Sequence, residues 1–487
     1  AWNPALGISA AKQKRKPLTS FAVHNHRQAT SKKPLFGTKK QKLYIVFPLS
    51  AMYNYNVNIL SYAKFSAICK KLGMGQRNGD YCTMEKYAKL IKEYSAKNYP
   101  EITKKPDGLL KYPFIVPGVT CYTTQLWDWD SWLTDIGINQ IRLDNGADDE
   151  SYLECEKGCV RNFAVSTAAD GRMPIVISPN GTIPSLNTDK ISNIHKPCFV
   201  QHTAFIVSRH GGDAEWLREY IGTAEKFLDF YFGNFYHKET GLFFWNDDSA
   251  IGVDNDPCTF YRPHRSSASV YLNCLMYKEL KAMEYICERL GINSARYSDA
   301  AEKLKSAVNE HMWDERNGFY YSVDLNLLPV DPDSQLHKGA PRHWNCLIQR
   351  IDVWSGFMAM WAGIADKDRA ERMVRENMLN EKTFYAEFGI RTLSKLEKMY
   401  CIKKTGNPSC WLGPVWGISN YMCFRALADY GYTDEARSLV EKTVRILGRS
   451  IEECGHMHEY YNPDTGEGVN NPGFQSWNFL VNNMLAW

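Results

Sequence analysis

The chain has 487 residues, 44% of them hydrophobic and 23% charged, a composition that excludes disorder as the main state and suffices for a large buried core. No stretch approaches the roughly 20 apolar residues that a helical membrane span requires, so no membrane partner is expected. The formal net charge of +4 hides an asymmetry: no Asp or Glu precedes Asp80, while 14 Lys and Arg do, ten of them between Lys12 and Lys42.

Residues 1–48 read as a basic N-terminal arm and residues 49–487 as one acidic folded unit. Nothing beside the arm resembles a nucleic-acid module, and nucleic acid is not an expected partner. From Ser50 onward apolar residues recur every three or four positions, which predicts helices near 50–72, 84–97, 129–142, 149–167, 199–210, 213–233, 265–290, 296–312, 350–363, 366–378, 414–431, 433–450 and 475–486. Strand-like alternation is scarce. Turn signals such as His210-Gly211-Gly212-Asp213, Leu290-Gly291-Ile292-Asn293-Ser294 and Tyr430-Gly431-Tyr432-Thr433-Asp434 stop one helix and start the next, which pairs the helices into hairpins. A dozen helices in hairpins make an all-α protein, either an open solenoid or a closed double-layered toroid.

The long connections around 108–128, 234–264, 313–349, 379–412 and 451–474 concentrate Trp, Tyr, Phe, Asp, Gly and Pro, and long loops of this kind tend to carry function. The fourteen cysteines are scattered without paired metal-type spacing, which suits a reducing compartment, and the cytoplasm is the expected location. With no GxxxxGK[ST] and no GxGxxG between strand and helix, no nucleotide cofactor is expected.

Four clusters hold the chemistry. In the first, Trp127-Asp128-Trp129-Asp130-Ser131-Trp132 sets flat indoles beside carboxylates, a pattern suited to sugars because an aromatic face covers C–H groups while Asp accepts from paired hydroxyls. The second runs from Trp245 through Gly252-Val253-Asp254-Asn255-Asp256-Pro257. Its spacing is not a calcium loop, and a carboxyl held in an aromatic-walled loop acquires a raised pKa fit for protonating a leaving oxygen. A helix cap or turn explains these Asp residues equally well at this level. The third is Trp411-Leu412-Gly413-Pro414-Val415-Trp416, with Pro414 read as lying just inside a helix start. The fourth is His456-Met457-His458-Glu459-Tyr460-Tyr461-Asn462-Pro463 leading to Phe474 and Trp477. It lacks the helical HExxH spacing of a zinc site, and no metal is expected.

Taken together and in this order, the clusters resemble glycoside hydrolase family 63, which includes processing α-glucosidase and mannosylglycerate hydrolase, within a clan shared with trehalases. The matching stretches are Trp127-x-Trp129-Asp130-Ser131, Gly252-x-Asp254-Asn255-x-Pro257, Trp411-x-Gly413-Pro414-Val415-Trp416, and Glu459-x-Tyr461-Asn462-Pro463 with Phe474-x-x-Trp477, over roughly residues 110–487. The trehalase Gln-Trp-Asp signature is missing where Cys410-Trp411-Leu412-Gly413 stands. The resemblance implies an (α/α)6 toroid and an inverting α-glycoside hydrolase with a carbohydrate substrate, whose general acid and general base sit about 6.5–9.5 Å apart to admit a water. It maps the acid onto Asp254, with Asp256 as the rival in the same loop, and the base onto Glu459. Trp127, Trp129, Asp130, Trp411, Gly413 and Trp477 would form the sugar subsite. Three departures stand out: Cys258 and Leu412 where the family usually has Arg, and Lys196-Pro197-Cys198 where some members have Gln-Pro-Pro. Arg262, His264 and Arg265 are candidates for a replacement cationic contact to the leaving group. The alternatives are a sugar epimerase or isomerase working through His456 and His458, or a non-catalytic sugar-binding relative.

Overall fold

The computed structural model describes residues 78–147, 150–182, 194–403 and 406–487. The basic arm and the helix expected at 50–72 lie outside the described residues. Twelve α-helices follow among those described: α1 Asn78–Ile102, α2 Asp128–Asp144, α3 Glu150–Val165, α4 Phe199–Arg209, α5 Ile221–Asn234, α6 Val270–Leu290, α7 Ala295–His311, α8 Met358–Trp361, α9 Lys367–Arg372, α10 Gly417–Asp429, α11 Thr433–Cys454 and α12 Val481–Ala486. A π turn extends α9 to Met378, and the 3-10 segment Ser476–Leu480 leads into α12.

The even-numbered helices form a closed inner ring. Helix α2 packs on α4, α4 on α6, α6 on α8, α8 on α10, α10 on the segment 476–486, and that segment returns to α2. The odd-numbered helices lie outside, α7 against α6, α11 against α10, and α1 against α11. This is the (α/α)6 toroid. The burial patterns follow the layers. Helix α11 buries a stripe of Ala436, Leu439, Val440, Val444, Leu447 and Ile451, the one-faced pattern of a surface helix. Helix α2 buries every residue from Asp128 to Ile138, as a helix covered on all sides must. Each Leu, Ile or Val so buried contributes on the order of 1.5–3 kcal/mol. None of the described helices is long and apolar enough to cross a membrane.

Each inner element follows a long connection from an outer helix. The first N–H groups of the inner helices need acceptors, and several come from neighbouring elements. The buried Glu279 carboxylate of α6 accepts from Val200 N and Gln201 N of α4 at 2.7 and 3.1 Å. Ser269 Oγ accepts from Leu272 N at the start of α6. The loops themselves carry only two- and three-residue strands, and these account for two differences from the expected boundaries. Ser267–Ala268 pairs with Val323–Asp324, so α6 starts at Val270 and not at 265. Val415–Trp416 pairs with Tyr460–Tyr461, so Pro414 precedes a strand and α10 begins at Gly417.

Ring closure depends on Gly137. A Cβ there would lie 2.7 Å from Cβ of Phe479 and 2.9 Å from its carbonyl carbon. Gly137→Ala, which helix propensity alone would favour, is expected to destabilise the fold by about 1–3 kcal/mol through overpacking. Denaturant unfolding checks this, and unchanged or raised stability would contradict the closure described.

Candidate active site

The loops that lead into the inner helices enclose a cavity of about 260 Å³. Its lining includes Tyr122, Trp127, Trp129, Asp130, Lys196, Asp254, Trp416, Glu459, Phe474 and Trp477. Residues from the first, second, third and fourth sequence clusters therefore share one space, together with Ile175 and Lys196 from the loop between α3 and α4.

Indoles build the wall. Trp129 meets Trp477 edge-on at 5.2 Å between ring centroids and lies 6.0 Å from Trp411. Trp354, Trp411, Trp416 and Tyr460 form a stack, with centroid separations of 6.0, 3.9 and 4.8 Å. Trp416 is the member of this stack that lines the cavity, whereas Trp411 is buried beside it and is not part of the lining. Gly413 also lies off the cavity. Its φ of +139° and the Tyr400 ring, 2.4 Å from where a Cβ would stand, explain why glycine occupies that position. Trp127 lines the cavity with its Nε1 donating to Gln125 Oε1 at 3.1 Å.

Asp254 is half-buried at the cavity and accepts from Asn407 Nδ2 at 3.0 Å. Burial raises its pKa, opposed by the Asn407 bond and the Lys196 charge. Its neighbour Asn255, at φ +53°, ties this loop to the third cluster: Oδ1 accepts from Trp411 N at 3.0 Å and Nδ2 donates to Ser409 O at 3.3 Å. Asp256 turns the other way. Its carboxylate accepts from Cys258 N and Thr259 Oγ1 within its own turn, and it does not line the cavity. That arrangement disfavours Asp256 as the rival acid.

Across the cavity wall, Glu459 is 5% exposed and its Oε2 accepts from Asn470 Nδ2 at 2.8 Å and Asn471 Nδ2 at 2.7 Å. Two amide donors on one oxygen fix the plane of the carboxyl group. Asn471, at φ +42°, also donates to Tyr122 OH at 3.4 Å. Asp130, in the first turn of α2, accepts from Ser476 Oγ at 2.9 Å. Burial, then the neighbouring Asp128 charge, push its carboxyl up to about 7.

Asp128 itself forms a buried ion pair. Lys196 Nζ lies 2.9 and 3.0 Å from its two carboxylate oxygens, Lys196 N donates to Oδ2 at 2.8 Å, and the ammonium sits 4.8 Å from the Trp129 ring centroid. Among the described residues one cluster has metal-ligand spacing, Asp128 with His195 and Cys198. The Lys196 ammonium already occupies the cation position on that carboxylate, so the donor set does not suit a metal ion.

The remaining expected cations point elsewhere. Arg262 is paired with Asp324, Arg265 donates to Asn234 O and lies over Phe244, and His264 is exposed. None lines the cavity. Nor do His456 and His458, the latter held against Ser450 Oγ at 3.0 Å. Sequence reasoning missed Lys196, Asn407, Asn470 and Asn471. Lys196 entered the sequence reading only as a departure from Gln-Pro-Pro, and a lone amide gives no signal until its acceptor is placed.

Known proteins agree with this architecture. A mannosylglycerate hydrolase from Rubrobacter radiotolerans is 26% identical over 208 residues, 43% of this chain and 41% of that protein. A mannosyl-oligosaccharide glucosidase from Arabidopsis thaliana is 22% identical over 409 residues, covering 73% of this chain and 46% of that protein. The chain thus spans less than half the length of these curated relatives. The crystal structure of the family 63 mannosylglycerate hydrolase from Thermus thermophilus in complex with glucose superposes with a TM-score of 0.60 at 18% identity, over 81% of this chain and 99% of that one. The profile of the mannosylglycerate hydrolase MGH1-like glycoside hydrolase domain matches residues 123–477, nearly three quarters of the sequence, and the chain belongs to that family.

Proposed function

We propose that this protein is an inverting hydrolase of a small α-linked glucoside, mannoside or related oligosaccharide. The observation that carries the reading is that Asp254 and Glu459, 205 positions apart in sequence, line one aromatic-walled cavity. Asp254 is the general acid: burial raises its pKa and so favours the form that carries a proton, and protonating the glycosidic oxygen lets the aglycone leave as an alcohol. Glu459 is the general base: its two amide donors hold it aimed, and it removes a proton from the water that attacks the anomeric carbon on the opposite face. Trp127, Trp129 and Trp477 cover the sugar's C–H faces, and Asp130 accepts from its hydroxyls. Family membership and the cavity's chemistry support this reading over an epimerase, since His456 and His458 stand outside the cavity.

Asp254→Asn and Glu459→Gln should each lower kcat by about 10²–10⁴-fold with unchanged melting behaviour. A nitrophenyl glycoside, whose leaving group needs little protonation, should restore much of the rate to Asp254→Asn and little to Glu459→Gln. Near-normal turnover of an alkyl or sugar glycoside by either variant would overturn the assignment.

A second expectation concerns pH. Asp130 must be ionised to accept two hydroxyl protons, and its pKa stands at about 7. The anion predominates above that value, so KM should rise as pH falls through it, by about tenfold per unit well below. Asp130→Asn should have a high KM that no longer responds to pH in this range. A KM independent of pH between 5 and 8 in the unmodified protein would contradict the role.

A further inference from the structure

We infer that Lys196 is a specificity-determining residue of the cavity, donating a hydrogen bond from its ammonium to a ring hydroxyl of a neutral sugar while Asp130 accepts from the sugar's hydroxyls. The inference builds on the glycosidase reading for the nature of the ligand, and its test can fail separately from that reading.

A buried ion pair is a poor device for stability alone, because desolvating both charges offsets most of their attraction and a well-packed apolar pair serves as well. Lys196 and Asp128 have side chains 1% and 0% exposed, yet Lys196 forms part of the cavity wall. The loop that carries Asp254 makes room for it: a Cβ on Gly252 would stand 2.5 Å from Lys196 Cε and 3.0 Å from Nζ. The ammonium is fixed by both oxygens of Asp128 and by the Trp129 indole. An ammonium has three N–H donors; two are satisfied by the carboxylate, which leaves one for the cavity.

The charge pattern selects the ligand class. Lys196 is the cation among the described lining residues, against Asp130, Asp254 and Glu459, and its own charge is matched by Asp128. An anionic sugar, such as a uronic acid or a sugar phosphate, would meet a neutralised cation together with the Asp130 and Glu459 carboxylates. A hydroxyl oxygen takes the donor without adding charge.

The test is a cycle between enzyme and ligand, using methyl α-glucoside, methyl α-mannoside and their 2-, 3-, 4- and 6-deoxy forms with the unmodified protein and Lys196→Met. Binding is read by calorimetry, independently of turnover, and kcat/KM is read on the corresponding nitrophenyl glycosides. The variant should lose about 10- to 100-fold in affinity for the preferred parent sugar, the size of a hydrogen bond from a charged donor. Removing one particular hydroxyl should cost the unmodified protein a similar factor and cost Lys196→Met almost nothing. Lys196→Gln should recover part of the loss. If Lys196→Met folds poorly, Asp128→Asn with Lys196→Met removes the stranded carboxylate and the same cycle applies. Deoxy penalties of equal size in both proteins at every position, no binding of any of these sugars, or tighter binding of glucuronate or glucose 6-phosphate than of glucose would overturn the inference. Coupled binding without hydrolysis would leave it standing and sink the hydrolase reading instead.

Discussion

Closure of the inner ring is the constraint on which everything else rests. The segment 476–486 must reach α2, and it does so through the contact of Phe479 with Gly137 and through two hydroxyl bonds, Ser476 to Asp130 at 2.9 Å and Thr134 to Ser476 at 3.3 Å. The same closure sets the cavity. Asp130 sits at the start of α2, Trp477 inside the closing segment and Glu459 in the loop just before it, so a misplaced seam would separate aromatic wall from carboxylate. A long-range contact of this kind adds loop-closure cost to folding, and the buried stripes of the outer helices offset it.

Within the ring the electrostatic arrangement separates groups of the same chemical type. Asp128 is neutralised by Lys196 and does not line the cavity. Asp130, two residues on, has its pKa pushed up to about 7, in part by that neighbour. Asp254 is raised by burial, whereas Glu459 receives two amide protons. Environments that push like groups apart are the means by which acid and base coexist at one pH.

Much of this was legible in the sequence. Helical periodicity located every described helix, and the hairpin turns with aromatic-rich connections pointed to a toroid with its chemistry at one end. The grouping of Trp129, Asp130, Asp254, Glu459 and Trp477 followed from the family resemblance that the order of the motifs carries. What escaped was whatever depends on partners brought together by folding. Trp416 lines the cavity while Trp411, equally conspicuous in the motif, stacks beside it, and only the strand pairing of Val415–Trp416 with Tyr460–Tyr461 decides which indole faces inward. Arg262 and Arg265 advertised a cationic contact, but Asp324 and Asn234 claim them. Lys196 stood in the sequence only as a departure from Gln-Pro-Pro, and its setting emerges from Asp128 and Trp129 at the start of α2 and Gly252 in the loop that carries Asp254.

The most direct measurement of the central claim, that a water activated by Glu459 attacks opposite a group protonated by Asp254, is proton NMR of the first sugar released from an α-glycoside. The account predicts that the β-anomer appears first and the α-anomer only later by mutarotation. Initial release of the α-anomer would require a covalent or frontside route and would contradict it.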